Sequence, residues 1–249
     1  MDQALQMAAF SNPAKINDKR ILVKLSGEAL GGEGTPLDYG KVDQAAEELA
    51  SLQQEGYQIG VMIGGGNIYR GRDSGQRNRT DADHMGMLAT VINSLALQNS
   101  LRNRAANVHV LSAIAMEQVC DTFTQRDAAA LLDDGNIVIF AGGIGRPYFS
   151  TDTAAALRAL EIGATALYCA KNIDGVYDAD PRSHADAKRY DSIHYDEYIR
   201  LNLAALDQTA VALCRDYSLP IFVFELAGEH SIQVAFHGQA GGSWIHGGM

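Results

Sequence analysis

The sequence predicts an α/β fold, a three-layer αβα sandwich in which a twisted, mainly parallel sheet lies between helices. Three observations point there. Short, continuously apolar runs recur along the chain, as expected of parallel strands covered on both faces. Amphipathic stretches with helical spacing separate them. Glycines follow several of the runs directly, at the sheet edge where open α/β folds place their ligands.

In chain order, strands are expected over 20–25, 57–63, 107–111, 136–141, 165–169 and 220–224. Val42, Ala45, Ala46, Leu49 and Leu52 recur at helical spacing between the first two. Asp38 suits the N-cap of that helix and Gly56 its end. Leu203, Leu206, Ala210, Leu213 and Cys214 form a second such face before the last strand. The stretches 31–36, 71–80 and 178–188 read as loops, and no internal repeat or low-complexity linker divides the chain. One domain is therefore expected over 19–249, preceded by a flexible extension over 1–18 that lacks the basic and apolar regions of a signal peptide.

Bulk composition narrows the function. The chain has 249 residues, 47% hydrophobic and 20% charged, which suits a globular domain with a sizeable core. Its formal net charge of −10 argues against a general binder of nucleic acid or of anionic membranes. A local basic cluster around Arg70, Arg72, Arg77 and Arg79 could still hold one small anion. Cys120, Cys169 and Cys214 are widely spaced and form no C-x-x-C pair, so neither a disulfide framework nor structural zinc is expected, and a reducing, cytoplasmic setting is.

The glycines sit at Ser26-Gly27 after the first strand, Gly64-Gly65-Gly66 after the second and Gly142-Gly143-Ile144-Gly145 after the fourth. Glycine lets backbone N–H groups approach an anion closely, so a phosphate-bearing ligand is the leading expectation. Two common fingerprints fail. Gly34 and Gly40 are separated by five residues and Lys41 is followed by Val42, which is not a Walker A loop. Gly64-x-Gly66 runs on to Tyr69 and Gly143-x-Gly145 to Tyr148, so neither is a dinucleotide loop. No H-R-D or D-F-G element of the protein kinases occurs.

What remains resembles the amino acid kinase superfamily and, within it, the bacterial UMP kinases. The motifs that carry the resemblance are Lys24-Leu-Ser-Gly-Glu-Ala-Leu30, Ile63-Gly-Gly-Gly-Asn-Ile-Tyr-Arg-Gly71, Ala82-Asp-His-Met-Gly-Met-Leu-Ala-Thr90, Pro147-Tyr-Phe-Ser-Thr-Asp152 and Ile173-Asp-Gly-Val-Tyr-Asp-Ala-Asp-Pro181. The second and third together are the specific ones. The third separates the UMP kinases from relatives that phosphorylate acetylglutamate, carbamate or aspartate.

The resemblance implies phosphoryl transfer from ATP to UMP, with UMP on the N-terminal half of the domain and ATP on the C-terminal half. Lys24, Arg70 and Asp152 would be catalytic. Lys24, Leu25, Ser26, Gly27, Gly66, Arg70, Lys171, Asn172, Tyr177 and Asp180 would contact ATP, with either Lys171 or Asn172 near its adenine and ribose. Gly65, Asp83, Ile144, Gly145, Arg146, Pro147, Tyr148, Phe149, Ser150 and Thr151 would contact UMP. The stretch reads Gly143-Ile-Gly-Arg-Pro147 where many relatives carry threonine and asparagine at 144 and 146.

Each role has a plainer competitor. Lys24 could be a strand-end lysine reaching solvent, Asp83 a helix N-cap, Met85 and Met87 core, and Tyr177 core. Phosphoryl transfer itself asks mainly for alignment and charge neutralisation, which a lysine followed by Ser-Gly can supply. No His, Cys or carboxylate set has metal-ligand spacing, so Mg²⁺ is expected to arrive on ATP. The resemblance also implies a homohexamer activated by GTP and inhibited by UTP, with 31–35 in place of the GTP-responsive loop. A sensor or storage protein on the same fold is the rival reading, but it would be expected to lack Lys24 or Asp152.

Overall fold

A computed structural model describes residues 19–69, 78–226 and 230–247. The expected extension over 1–18 lies outside the described residues. The elements run β1 (Arg20–Leu25), α1 (Tyr39–Gln54), β2 (Gln58–Ile63), α2 (Arg79–Arg102), β3 (Val108–Ser112), β4 (Asp121–Thr122), α3 (Gln125–Asp133), β5 (Ile137–Ala141) and α4 (Thr151–Glu161). They continue with β6 (Leu167–Lys171), β7 (Val176–Tyr177), β8 (Arg189–Tyr190), β9 (Ser192–His194), α5 (Tyr195–Arg200), α6 (Gln208–Asp216), β10 (Ile221–Glu225), α7 (Ser231–Phe236) and β11 (Ser243–His246).

Among the described residues nine strands form one sheet in the order β4-β3-β5-β2-β1-β6-β10-β11-β9, while β7 and β8 make a separate hairpin. Within the nine-stranded sheet the pairs are parallel except β10 with β11. β1 therefore lies in the middle, with β2 and β6 beside it. Alternation along β1 divides its side chains between two cores. Ile21, Val23 and Leu25 join the layer of α1, α2 and α7, whereas Leu22 joins the layer of α3, α4, α5 and α6. Each fully buried aliphatic side chain of this kind contributes roughly 1.5–3 kcal/mol.

The α/β sandwich is thus as the sequence predicts, and several details differ. The apolar run read as a strand over 165–169 is a strand from Leu167 to Lys171, because pairing with β1 and β10 continues past the last apolar residue to Glu225↔Lys171. Leu203 and Leu206 are buried but precede α6, which starts at Gln208 with Asp207 as its N-cap. Asp38 caps α1 as expected, its Oδ1 accepting from the backbone of Gly40 and Lys41. Gly56 follows the end of α1 with φ of +86°. Of the methionine pair, Met87 is core and Met85 is exposed.

Candidate active site

Side-chain period places the central charges. Lys24 has the parity of Leu22 on β1, and Lys171 the parity of Leu167 and Cys169 on β6, so both lysines project toward the α4 side of the sheet. Ser150 caps α4 by accepting a hydrogen bond from the Thr153 N–H at 3.1 Å, which leaves Asp152 in the first turn, where the macrodipole favours a carboxylate. Asp152 sits between the two lysines. Lys24 Nζ lies 3.1 Å from its Oδ1. Lys171 Nζ donates to Oδ1 at 3.0 Å and to Oδ2 at 2.9 Å.

All three groups are largely withdrawn from water, and burial sets the electrostatics. Burial works to raise the Asp152 carboxyl, but the Lys24 and Lys171 ammoniums outweigh it and hold the carboxyl far below the usual carboxylate range. Burial lowers Lys24, with Asp152 opposing and Lys171 reinforcing the fall. Burial also presses on Lys171, yet the two-point pairing with Asp152 leaves it above its ordinary value. Cys169, opposite Lys24 in register, is pushed up to about 12 by burial and then by Asp152, so it stays a neutral thiol. Two lysines thus meet one carboxylate at the strand ends, where their N–H groups could also reach an incoming anion.

Asp207, which the sequence did not mark, anchors this end of α4 from the N-cap of α6. Its Oδ2 accepts from Ser150 Oγ at 2.6 Å and Thr153 Oγ1 at 2.8 Å, while its Oδ1 accepts from the Thr209 N–H at 2.9 Å. Arg158 is buried on the same helix, its guanidinium 3.8 Å from the ring centre of Phe123 and ion-paired to Glu161.

The glycine-bearing turns meet at the carboxyl ends of the strands. A Cβ on Gly27 would lie 2.6 Å from the Gly64 carbonyl oxygen, and one on Gly64 would lie 2.9 Å from the Gly27 nitrogen. Gly65 is pressed against α2, where a Cβ would lie 2.7 Å from Gly86 O. These glycines are thus required by close packing of backbone on backbone, a reason distinct from the anion approach read from sequence. At Gly145 a positive φ of +76° is joined by close packing, its Cβ position lying 2.8 Å from the Ala113 carbonyl oxygen.

The expected UMP-side residues fall together around α2 and the start of α4. Asp83 is inside α2, whose N-cap is Asn78, so it does not cap the helix. Its Oδ1 accepts from Arg79 Nε at 2.7 Å and its Oδ2 from the Tyr148 N–H at 2.7 Å. Tyr148 holds φ of +72°, and Arg79 lies 5.8 Å from its ring centre. Ile144 packs on the core, Arg146, Tyr148 and Phe149 are exposed, Pro147 and Ser150 are half-buried, and Thr151 opens α4.

On the expected ATP side, Leu25 ends β1 and Ser26-Gly27 continue into a 3-10 turn, Gly27–Leu30. Gly66 lies in the turn after β2. Asn172 Nδ2 reaches Glu28 at 3.4 Å, linking the ends of β6 and β1. Tyr177 donates its hydroxyl to Asp174 at 2.8 Å, and Asp180 pairs with Arg182. No hydrogen bond or ion pair joins Tyr177 or Asp180 to the lysine pair among the described residues. Arg70 lies outside the described residues.

A buried lysine–carboxylate–lysine cluster beside glycine turns at the carboxyl edge of a parallel sheet defines a phosphate-handling α/β protein. The amino acid kinase family model matches residues 19–225. The chain belongs to the amino acid kinase family. Among curated relatives, a protein named uridylate kinase from a Chelativorans species (strain BNC1) is 52% identical over 211 residues, covering 84% of this chain and 85% of that protein. Another of that name, from Xanthomonas campestris pv. campestris, is 46% identical over 240 residues, covering 94% of this chain and 99% of its own. Of solved structures, UMP kinase from Ureaplasma parvum superposes with a TM-score of 0.87 at 33% identity, over 92% of this chain and 99% of that one. UMP kinase from Bacillus anthracis gives 0.87 at 36% identity, over 92% and 96%.

Proposed function

We propose that this chain transfers the γ-phosphoryl group of ATP to UMP, yielding ADP and UDP. The observation that carries the reading is the buried Lys24–Asp152–Lys171 cluster at the meeting point of β1, β6 and α4. The similarity to uridylate kinases over most of the chain fixes the substrate class.

The acceptor, a phosphate of UMP, is already an anionic nucleophile and needs no base. The work left to the protein is alignment and neutralisation of charge on the moving group. Lys24 and Lys171 hold the transferring oxygens, while Asp152 fixes both ammoniums and prevents them from repelling one another. Gly27, Gly66 and Arg70 serve the ATP phosphates. Asp83 accepts from the ribose hydroxyls of UMP, Gly65 touches that nucleotide, and 144–151 wraps its base and phosphate. Leu25, Ser26, Asn172, Tyr177 and Asp180 complete the ATP side. The donor set suits a divalent cation brought by ATP. Mg²⁺ commonly binds through one or two carboxylates and substrate phosphates, so phosphate oxygens would supply most of its ligands. Bound in that way, Mg²⁺ would offset charge on the β- and γ-phosphates.

The reading extends to a cytoplasmic homohexamer of one-domain subunits that GTP activates and UTP inhibits. Its physical support is an exposed apolar stripe on α2, Met85, Leu88 and Ile92, suited to self-association. No helix among the described residues is long and apolar enough to cross a membrane.

The deciding measurement is a coupled ATPase-type assay with UMP, CMP, acetylglutamate and carbamate as acceptors. Turnover restricted to UMP is expected, and equal or greater turnover with a carboxylate or carbamate would overturn the reading. Light scattering with and without GTP or UTP checks the assembly and effectors.

A further inference from the structure

Two of the buried polar side chains of α2 reach the glycine turns, and the mechanism above does not use them. Thr90 and Asn93 lie one helical turn apart and are almost wholly removed from water, at 4% and 0% exposure. Thr90 donates its hydroxyl proton to the Met87 carbonyl at 2.6 Å. That commitment turns its oxygen lone pairs outward, and the oxygen accepts from the Gly142 N–H at 2.8 Å. Asn93 Nδ2 donates to the Gly64 carbonyl at 2.7 Å and to Asn67 Oδ1 at 2.7 Å. Asn67 returns a bond to Asn93 Oδ1 at 3.0 Å and donates to the Pro36 carbonyl at 2.7 Å.

One helix therefore grips both glycine turns by their backbones, the turn after β2 through Asn93 and the turn after β5 through Thr90. Nothing else about these contacts is adjustable. Gly65 sits flush on the helix with no room for a Cβ, and Gly142 has φ of +74°. A buried N–H or carbonyl left without its partner is destabilised by its lost hydration, so each grip resists sliding of its turn.

We infer that Thr90 and Asn93 are positioning residues that set the separation between the Gly64–Gly66 turn and the Gly142–Gly145 turn, and through it the fit of UMP. The inference rests on the UMP-phosphorylating reading and assigns a task to side chains that need touch neither substrate.

The test compares Thr90→Val with Thr90→Ser. Valine keeps the shape and strands the Gly142 N–H, whereas serine keeps the hydroxyl. Thr90→Val is expected to raise KM for UMP about 10-fold while KM for ATP stays within about 2-fold. Thr90→Ser should restore the KM for UMP to within about 2-fold of wild type. Equal weakening of both substrates, or a serine variant no better than valine, overturns the inference. Hydrogen exchange on the unaltered protein provides a second reading even if Thr90→Val fails to fold. The Gly142 amide should exchange with the slow amides of β5, and exchange at the rate of an exposed loop refutes the grip. If the unaltered protein itself does not phosphorylate UMP, the functional reading falls, and the exchange result still judges the grip.

Discussion

Lys171 and Asp152 face each other as a two-point ion pair, one ammonium reaching both carboxylate oxygens at 3.0 and 2.9 Å. Lys24 meets the same carboxylate, its Nζ 3.1 Å from Oδ1, and stands one residue before the end of β1, where Ser26 and Gly27 follow. Lys24→Ala is therefore expected to lower kcat about 10²–10³-fold, roughly 3–4 kcal/mol of transition-state stabilisation, with little change in UMP binding. Steady-state kinetics with a binding titration check this, and a variant keeping more than half of wild-type kcat would remove Lys24 from catalysis. Lys171→Met should also lower kcat, and its effect should be non-additive with that of Asp152→Asn because the two side chains share one interaction.

The depressed Asp152 carboxyl makes a statement about acid stability. A carboxylate whose folded pKa lies below its unfolded value stabilises the fold at every pH above the unfolded value, and that contribution fades as pH falls through the folded one. Wild type should exceed Asp152→Asn by about 2 kcal/mol between neutral pH and about pH 5. The gap should shrink steadily below about pH 4, where unfolded aspartates begin to take up protons. Denaturant melts across that range decide it, and a gap that widens in acid would contradict the pairing.

Asp83 holds the Tyr148 N–H as well as Arg79. If it also accepts from the ribose, Asp83→Ala should raise KM for UMP by about 10-fold or more, since each charge-assisted bond lost is worth about 1.5–3 kcal/mol. KM for ATP should hardly move. A parallel fall in Tm with both constants rising together would instead mark Asp83 as a fastener of the Tyr148 turn alone.

Arg146 stands where the family resemblance leads one to expect asparagine, and the residue is exposed. Restoring asparagine should change KM for UMP less than about 2-fold at any ionic strength. A several-fold rise, greatest at low salt where charge attraction is least screened, would place the guanidinium on the UMP phosphate.

The layered fold was legible because buried parallel strands are written as apolar runs, and all six expected runs are strands within about two residues. Lys24 and Asp152 were legible only through their motifs. Their pairing joins residues distant in sequence, and no local rule announces it. Lys171 was expected near the adenosine only because the family resemblance implies it, as an alternative to Asn172. The polar end of a strand carries no periodic signal, yet pairing to β10 carries β6 on to Lys171, two residues past Cys169, the partner of Lys24. Asp83 reads as an N-cap until Asn78 is seen to occupy that place. Thr90, Asn93 and Asp207 were missed for one reason. Each acts on backbone or hydroxyl groups 29 to 57 residues away, and side chain–backbone pairing of that range leaves no local pattern.

Gly27 and Gly64 touch through main chain alone, with the Cβ position of one 2.6 Å from the carbonyl oxygen of the other. The contact itself is peptide against peptide, with Asn67 Oδ1 packed beside it and Asn93 holding the Gly64 carbonyl. The distance from the end of β1 to the end of β2 behaves as a fixed gauge, given by peptide dimensions and sheet spacing. Donor and acceptor nucleotides seated on the two turns would inherit that gauge. Selection could then reshape either nucleotide's pocket freely without ever retuning the gap the phosphoryl group must cross.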